Sequence, residues 1–113
     1  MAAIANLTVD RGTSFTSDVT VKDANGNAFN LTGYTANAKM AKGYSSTRTR
    51  TTITTTVAAD ATTGVVTLSL TSTVTAGLDA ERYVYDLEIT QTSSGNVTRV
   101  IEGIITVRPQ VSI

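Results

Sequence analysis

Histidine, cysteine and tryptophan are all missing from this chain of 113 residues, and proline occurs once, as Pro109. Those absences exclude a good deal. Without histidine there is no side chain poised to exchange a proton near neutral pH, and no general base for a serine nucleophile. Without cysteine there is no thiolate, no disulfide and nothing soft for zinc to bind. A domain of this size buries about two-thirds of its unfolded surface unaided, so it needs no covalent staples. A small secreted domain from an oxidising compartment would use them more often. Charge is also in short supply: charged residues make up 16% and the formal net charge is zero. No global field draws the chain to nucleic acid or to an anionic membrane. No apolar run is long enough to span a bilayer. The opening Met1-Ala2-Ala3-Ile4 has neither the basic region nor the apolar stretch of a secretory signal.

What the chain has instead is alternation. Tyr83, Tyr85, Leu87 and Ile89 alternate with Arg82, Val84, Asp86 and Glu88, and Tyr34, Ala36, Ala38 and Met40 alternate with Thr35, Asn37 and Lys39. A side-chain period of two places each set on one face of a pleated strand. Threonine supplies about one residue in five, and β-branched side chains suit an extended, half-exposed backbone. Turn signals divide the chain into about seven strands. These are Ile4 to Val9, Ser14 to Lys22, Tyr34 to Lys42, Thr49 to Val57, Val65 to Leu70, Arg82 to Thr90 and Val97 to Val107. Asn25-Gly26 between the second and third reads as a hairpin turn, since both residues tolerate positive φ. Thr71 to Leu78 reads as one helical turn capped by Ser72 or Thr73. The expected fold is all-β, an immunoglobulin-like two-sheet antiparallel β-sandwich filling residues 1–113 as a single domain. Its expected core is Phe15, Val19, Val21, Tyr34, Met40, Leu68, Leu70, Tyr83, Tyr85, Leu87, Ile89 and Ile105. Tyr83 or Tyr85 is placed to make the corner contact between sheets.

Few residues are left for chemistry. No phosphate-binding glycine pattern occurs. The carboxylates Asp86, Glu88 and Glu102 share one outer face if the last two strands pair. In principle such a cluster serves glycoside hydrolysis or holds a hard cation. It reads more simply as a solvated strand face with Lys39 or Arg82 as cross-strand partners. No catalytic residue, metal or cofactor is expected. The Asn-X-Thr triplets at Asn6, Asn30 and Asn96 read as chance in so threonine-rich a chain. The run Lys42-Gly43-Tyr44-Ser45-Ser46-Thr47-Arg48-Thr49-Arg50 is different, with three cations, an aromatic and no acid. Tyrosine and arginine are the residues enriched at protein contacts. Lys42, Tyr44, Arg48 and Arg50 are therefore the candidate interaction residues.

Three runs carry a family likeness: Asp23-Ala24-Asn25-Gly26-Asn27-Ala28-Phe29-Asn30-Leu31-Thr32-Gly33-Tyr34, then Thr63-Gly64-Val65-Val66-Thr67-Leu68-Ser69-Leu70-Thr71, then Ala80-Glu81-Arg82-Tyr83-Val84-Tyr85-Asp86-Leu87-Glu88-Ile89. In that order, and with an ending like Glu102 to Val107, they resemble immunoglobulin-like virion proteins of tailed bacteriophages. The likeness extends to the amino-terminal domains of phage baseplate upper proteins and to small structural proteins of T4-like marine and cyanobacterial phages. It implies a non-enzymatic structural component in the tail, neck or baseplate, built into the virion in the host cytoplasm. The implied partners are other virion proteins, met in many symmetric copies, with neither nucleic acid nor membrane among them. Baseplate upper proteins continue into further domains, which favours a small accessory part here. A capsid decoration protein is the alternative, and a carbohydrate-binding or host-adhesion module a third, for which Tyr44 and Tyr34 supply the aromatics.

Overall fold

The computed structural model describes residues 2–45 and 47–112; Met1, Ser46 and Ile113 lie outside the described residues. Eight strands form in chain order: β1 Ala3–Ile4, β2 Leu7–Asp10, β3 Phe15–Thr20, β4 Tyr34–Ala41, β5 Thr51–Val57, β6 Val65–Leu70, β7 Arg82–Gln91 and β8 Val97–Arg108. They pair in the order β1-β8-β7-β4-β5-β6-β3, with β2 also on β8. Strand β5 belongs to both layers. Its first residues pair with β4, Thr51 opposite Met40 and Ile53 opposite Ala38, and its last, Thr54 to Val57, pair with β6. The sheet thereby folds over on itself, and the two apolar faces close as an immunoglobulin-like β-sandwich.

Alternation decides which side chains meet in the middle. Tyr83, Tyr85, Leu87 and Ile89 of β7 and Ala38 and Met40 of β4 are buried against Val66, Leu68 and Leu70 of β6 and Val19 and Val21 from the β3 region. Val9, Leu31, Ile53, Ile101 and Val107 complete the core. Burying each such aliphatic side chain contributes about 1.5–3 kcal/mol. Phe15 and Tyr34, expected inside, are half-buried and pack on the margin of the core. Tyr34 meets Phe29 there edge to face, with ring centroids 5.3 Å apart.

Four local expectations need correcting. The first strand is not one run from Ile4 to Val9 but two short pieces, and both lie parallel to β8. The interruption falls at Ala5 and Asn6, where the Asn6 side-chain oxygen accepts from the Ile104 amide at 3.0 Å in place of a backbone carbonyl. Gly26 alone in the Asn25-Gly26 pair takes positive φ, 81°. Asp23 shapes that turn by accepting from the amides of Asn25 and Asn27. The helical turn, α1 Ser72–Ala76, is capped by Thr71 rather than Ser72 or Thr73. Finally β4 stops at Ala41 and β5 starts at Thr51, so the loop between them runs over residues 42–50.

At the crossover into β7 the buried Tyr83 reaches back four residues. Its hydroxyl accepts from the Asp79 amide at 2.9 Å and donates to the Asp79 carbonyl at 3.3 Å. This is the tyrosine corner of immunoglobulin-like sandwiches. Tyr85 ties the sheet to the interrupted first strand, donating to the Ala5 carbonyl.

Candidate protein-interaction surface

The loop of residues 42–50 leaves β4 at the edge of the outer face and hands the chain to β5. Its cations divide by role. Lys42 turns back along the molecule to Asp79, with Glu81 at 3.6 Å. That hydrogen bond to Asp79 holds the lysine above its ordinary pKa and holds the aspartate below the usual carboxylate range. Arg50 folds inward, its guanidinium donating to the carbonyls of Ser45 at 2.7 Å, Arg48 at 2.9 Å and Tyr44 at 3.3 Å. It is the frame on which the loop is wound. Among the described residues the side chain of Arg48 makes no ion pair or hydrogen bond, and Tyr44 is 69% exposed. Of the four candidate residues, then, Lys42 and Arg50 are held by this chain, while Tyr44 and Arg48 remain available to another.

Beside the loop lies the outer face of β4, β7 and β8, whose register sets the side chains out in rows. Ala41, Val84 and Ile104 form an apolar row. The next row is Lys39, Asp86 and Glu102, with Ile4 of β1 at its end. Then come Asn37, Glu88 and Arg99. Asp86 and Glu102 stand directly opposite, which alone would cost stability by like-charge repulsion. Arg99 settles the conflict, with its Nε 3.2 Å from Asp86 and its Nη1 3.3 Å from Glu102. The counter-ion of the carboxylates is therefore Arg99, and neither Lys39 nor Arg82 pairs with them among the described residues. The same residues include no group of three ligating side chains placed to hold a metal ion.

Three large apolar side chains gather on this face: Ile4 at 74% exposure, Tyr44 at 69% and Ile104 at 39%. They line a shallow hollow of about 330 Å³ together with Asn6, Glu102 and Gly103. A smaller hollow on the other side of Tyr44, about 180 Å³, is lined by Asn37, Lys39, Asp86 and Glu88 among others. An aromatic between an apolar and a polar hollow, rimmed by charge, has the residue types that are enriched at protein contacts. Sequence reasoning found Tyr44 but not Ile4, Val84 or Ile104. A signal existed for the last: Ile104 and Ile105 are adjacent on a strand, so only one of them can face the core.

No protein-family model matches the chain, and no curated protein sequence matches it either. Solved structures do. The N-terminal domain of phage TP901-1 ORF48 superposes with a TM-score of 0.56 over 92% of this chain and 85% of that one, at 10% identity. The likeness is one of fold. The Lin-41 filamin domain (TM-score 0.44, 20% identity, 89% of this chain and 82% of that) and the NK cell receptor NKp44 (0.49, 17%, 95% and 98%) are also similar. The strand pairing itself gives the sandwich expected from alternation and turn spacing, and a phage protein's domain is among the chains of similar fold.

Proposed function

We propose that the protein is a non-enzymatic structural component of a tailed-phage virion, seated in the tail, neck or baseplate and held by protein–protein contacts. The observation that carries this reading is the shared fold with the phage ORF48 domain across nearly the whole of both chains. The ordered sequence runs that resemble virion proteins of T4-like marine and cyanobacterial phages point the same way. A threonine-rich sandwich with an exposed aromatic and open strand edges suits such a part, because repeated copies in a symmetric particle gain avidity from modest contacts. Its neighbours are other virion proteins. Mass spectrometry of purified particles separated into heads and tails tests the assignment. The chain is expected in the tail fraction. Recovery in heads alone would make it a decoration protein, and absence from both would remove it from the virion.

The loop of residues 42–50 is the proposed contact to a neighbouring virion protein, with Tyr44 and Arg48 as its reaching side chains. Arg48 offers a planar fork suited to a carboxylate on that neighbour. Arg48→Ala should leave the thermal midpoint within about a degree while weakening incorporation into particles, most at low salt, where the charge it removes is least screened. Arg50→Ala is a poorer test, because it would loosen the loop itself. Full incorporation of Arg48→Ala at every salt concentration would remove the loop tip from the contact.

A further inference from the structure

The outer face carries a charge order that is complementary to itself. Outward along β7 the residues run Arg82, Val84, Asp86: a cation, an apolar side chain, an anion. Alongside, β8 presents Thr106, Ile104 and Glu102 in register with them. Arg82 is exposed and has no ion pair among the described residues. Asp86 receives Arg99 at Oδ2, and its Oδ1 has no hydrogen bond among the described residues. We propose that this face pairs with a second copy of the same chain, about a two-fold axis that crosses the strands along the row of Val84 and Ile104.

Such an axis lays Val84 and Ile104 on their own images and brings Arg82 of each copy onto Asp86 of the other. Two ion pairs and an apolar stripe form at once, as an isologous contact requires. The other in-plane axis, along the strands, would set Asp86 and Glu88 against their own images and is disfavoured by like-charge repulsion. The available surface suits a weak pairing. Val84 is the third residue of β7, so about this axis the copies overlap on that strand only from Arg82 to Asp86, and on β8 from Val100 to Arg108. By strand rise and spacing that is roughly 400 Å² per copy before side-chain relief, about half the ~800 Å² per partner of a stable interface. The pairing also covers Ile104, with Tyr44 and Ile4 at its margin, three of the exposed apolar side chains on the chain. It does not depend on the virion assignment; it takes up part of Tyr44 at its margin and leaves Arg48 free for another protein.

Analytical ultracentrifugation of the purified chain tests the proposal. A dimer is expected at about 100 µM, with Arg82→Glu and Asp86→Arg each weakening it at least about tenfold. Mixing the two variants in equal amounts should restore the dimer, because glutamate at 82 then meets arginine at 86, and Arg82 of the second chain meets Asp86 of the first. The natural lack of cysteine allows a second measurement. Ile104→Cys, on the axis, should crosslink to its own image with a short bis-maleimide, whereas Val74→Cys on α1 should not. The crosslink and Arg82→Glu decide the matter even if Asp86→Arg fails to fold. A wild-type monomer at this concentration overturns the proposal. So does a dimer indifferent to Arg82→Glu, and so does a mixture that stays monomeric.

Discussion

Tyr85 shows how one side chain does two jobs whose balance depends on pH. Its ring is buried between the sheets, and its hydroxyl holds the Ala5 carbonyl of the interrupted first strand. Burial disfavours the phenolate and pushes the pKa from 10.0 up to about 12. An acid whose folded pKa is raised keeps its proton in the native state while the unfolded chain has already lost it. Its contribution is therefore complete below about pH 10 and is lost as pH climbs toward 12. Lys42, raised by its bond to Asp79, adds a loss in the same direction as it deprotonates. On the acid side Asp60, which accepts from the hydroxyl and amide of Thr62, and Asp79, bonded to Lys42, are both held below the usual carboxylate range. Their contributions are present above pH 4 and lost as pH falls through the lowered values. Tyr85→Phe should cost about 1 kcal/mol near pH 7 for the missing hydrogen bond, and it should flatten the alkaline decline of the thermal midpoint between pH 10 and 12. An unchanged alkaline slope would mean that Tyr85 ionises as freely in the fold as in water.

The break between β1 and β2 has its cause on another element. Pairing with β8 keeps a constant register on both sides of the break, Ile4 opposite Glu102 and Leu7 opposite Ile105. Between them the Ala5 amide donates to the Glu102 carbonyl at 2.9 Å, and Asn6 receives Ile104. The chains approach most closely at Gly103, where an added Cβ would lie 2.3 Å from the Ala5 carbonyl oxygen. That contact involves backbone on both sides, so it cannot be relieved by rotating a side chain. Gly103→Ala should push β1 off the sheet at a cost of about 1–3 kcal/mol. Amide exchange at Ala5 and Ile104 should then speed up by about tenfold or more while β6 is unaffected. Equal exchange in both proteins would show that the first strand adapts without loss. A glycine inside a β-rich strand signals a close approach, and this one was visible in the sequence. Its partner was not, because a period of two says which face a residue takes and nothing about which strand, 98 positions away in the chain for Asn6 and Ile104, lies beside it.

At the scale of the whole molecule, legibility followed the same rule. The inward sets of β4, β6 and β7 could be read from alternation, since one buried face dictates every second residue. The roles of the loop cations could not. Lys42 and Arg50 look as free as Arg48 until the fold brings Asp79 beside one and the loop's own carbonyls around the other. Arg99 as counter-ion to Asp86 was hidden for a similar reason, since a bulge between Leu87 and Glu88 shifts the register that sets it opposite its neighbours. What alternation does dictate can be tested at its centre. Leu87 has no exposed surface and stands in register between Ala38 of β4 and Ile101 of β8, facing the second layer. Because β5 runs through both layers, neither can open without exposing the other's core, so unfolding should be a single transition seen alike by every probe. Leu87→Ala should lower the free energy of unfolding in urea by about 2–5 kcal/mol, transfer and cavity terms adding. Val97→Ala, at the exposed start of β8, should change it by less than about 0.5 kcal/mol. A cost below about 1 kcal/mol for Leu87→Ala would shift β7 by one residue and turn its tyrosines outward.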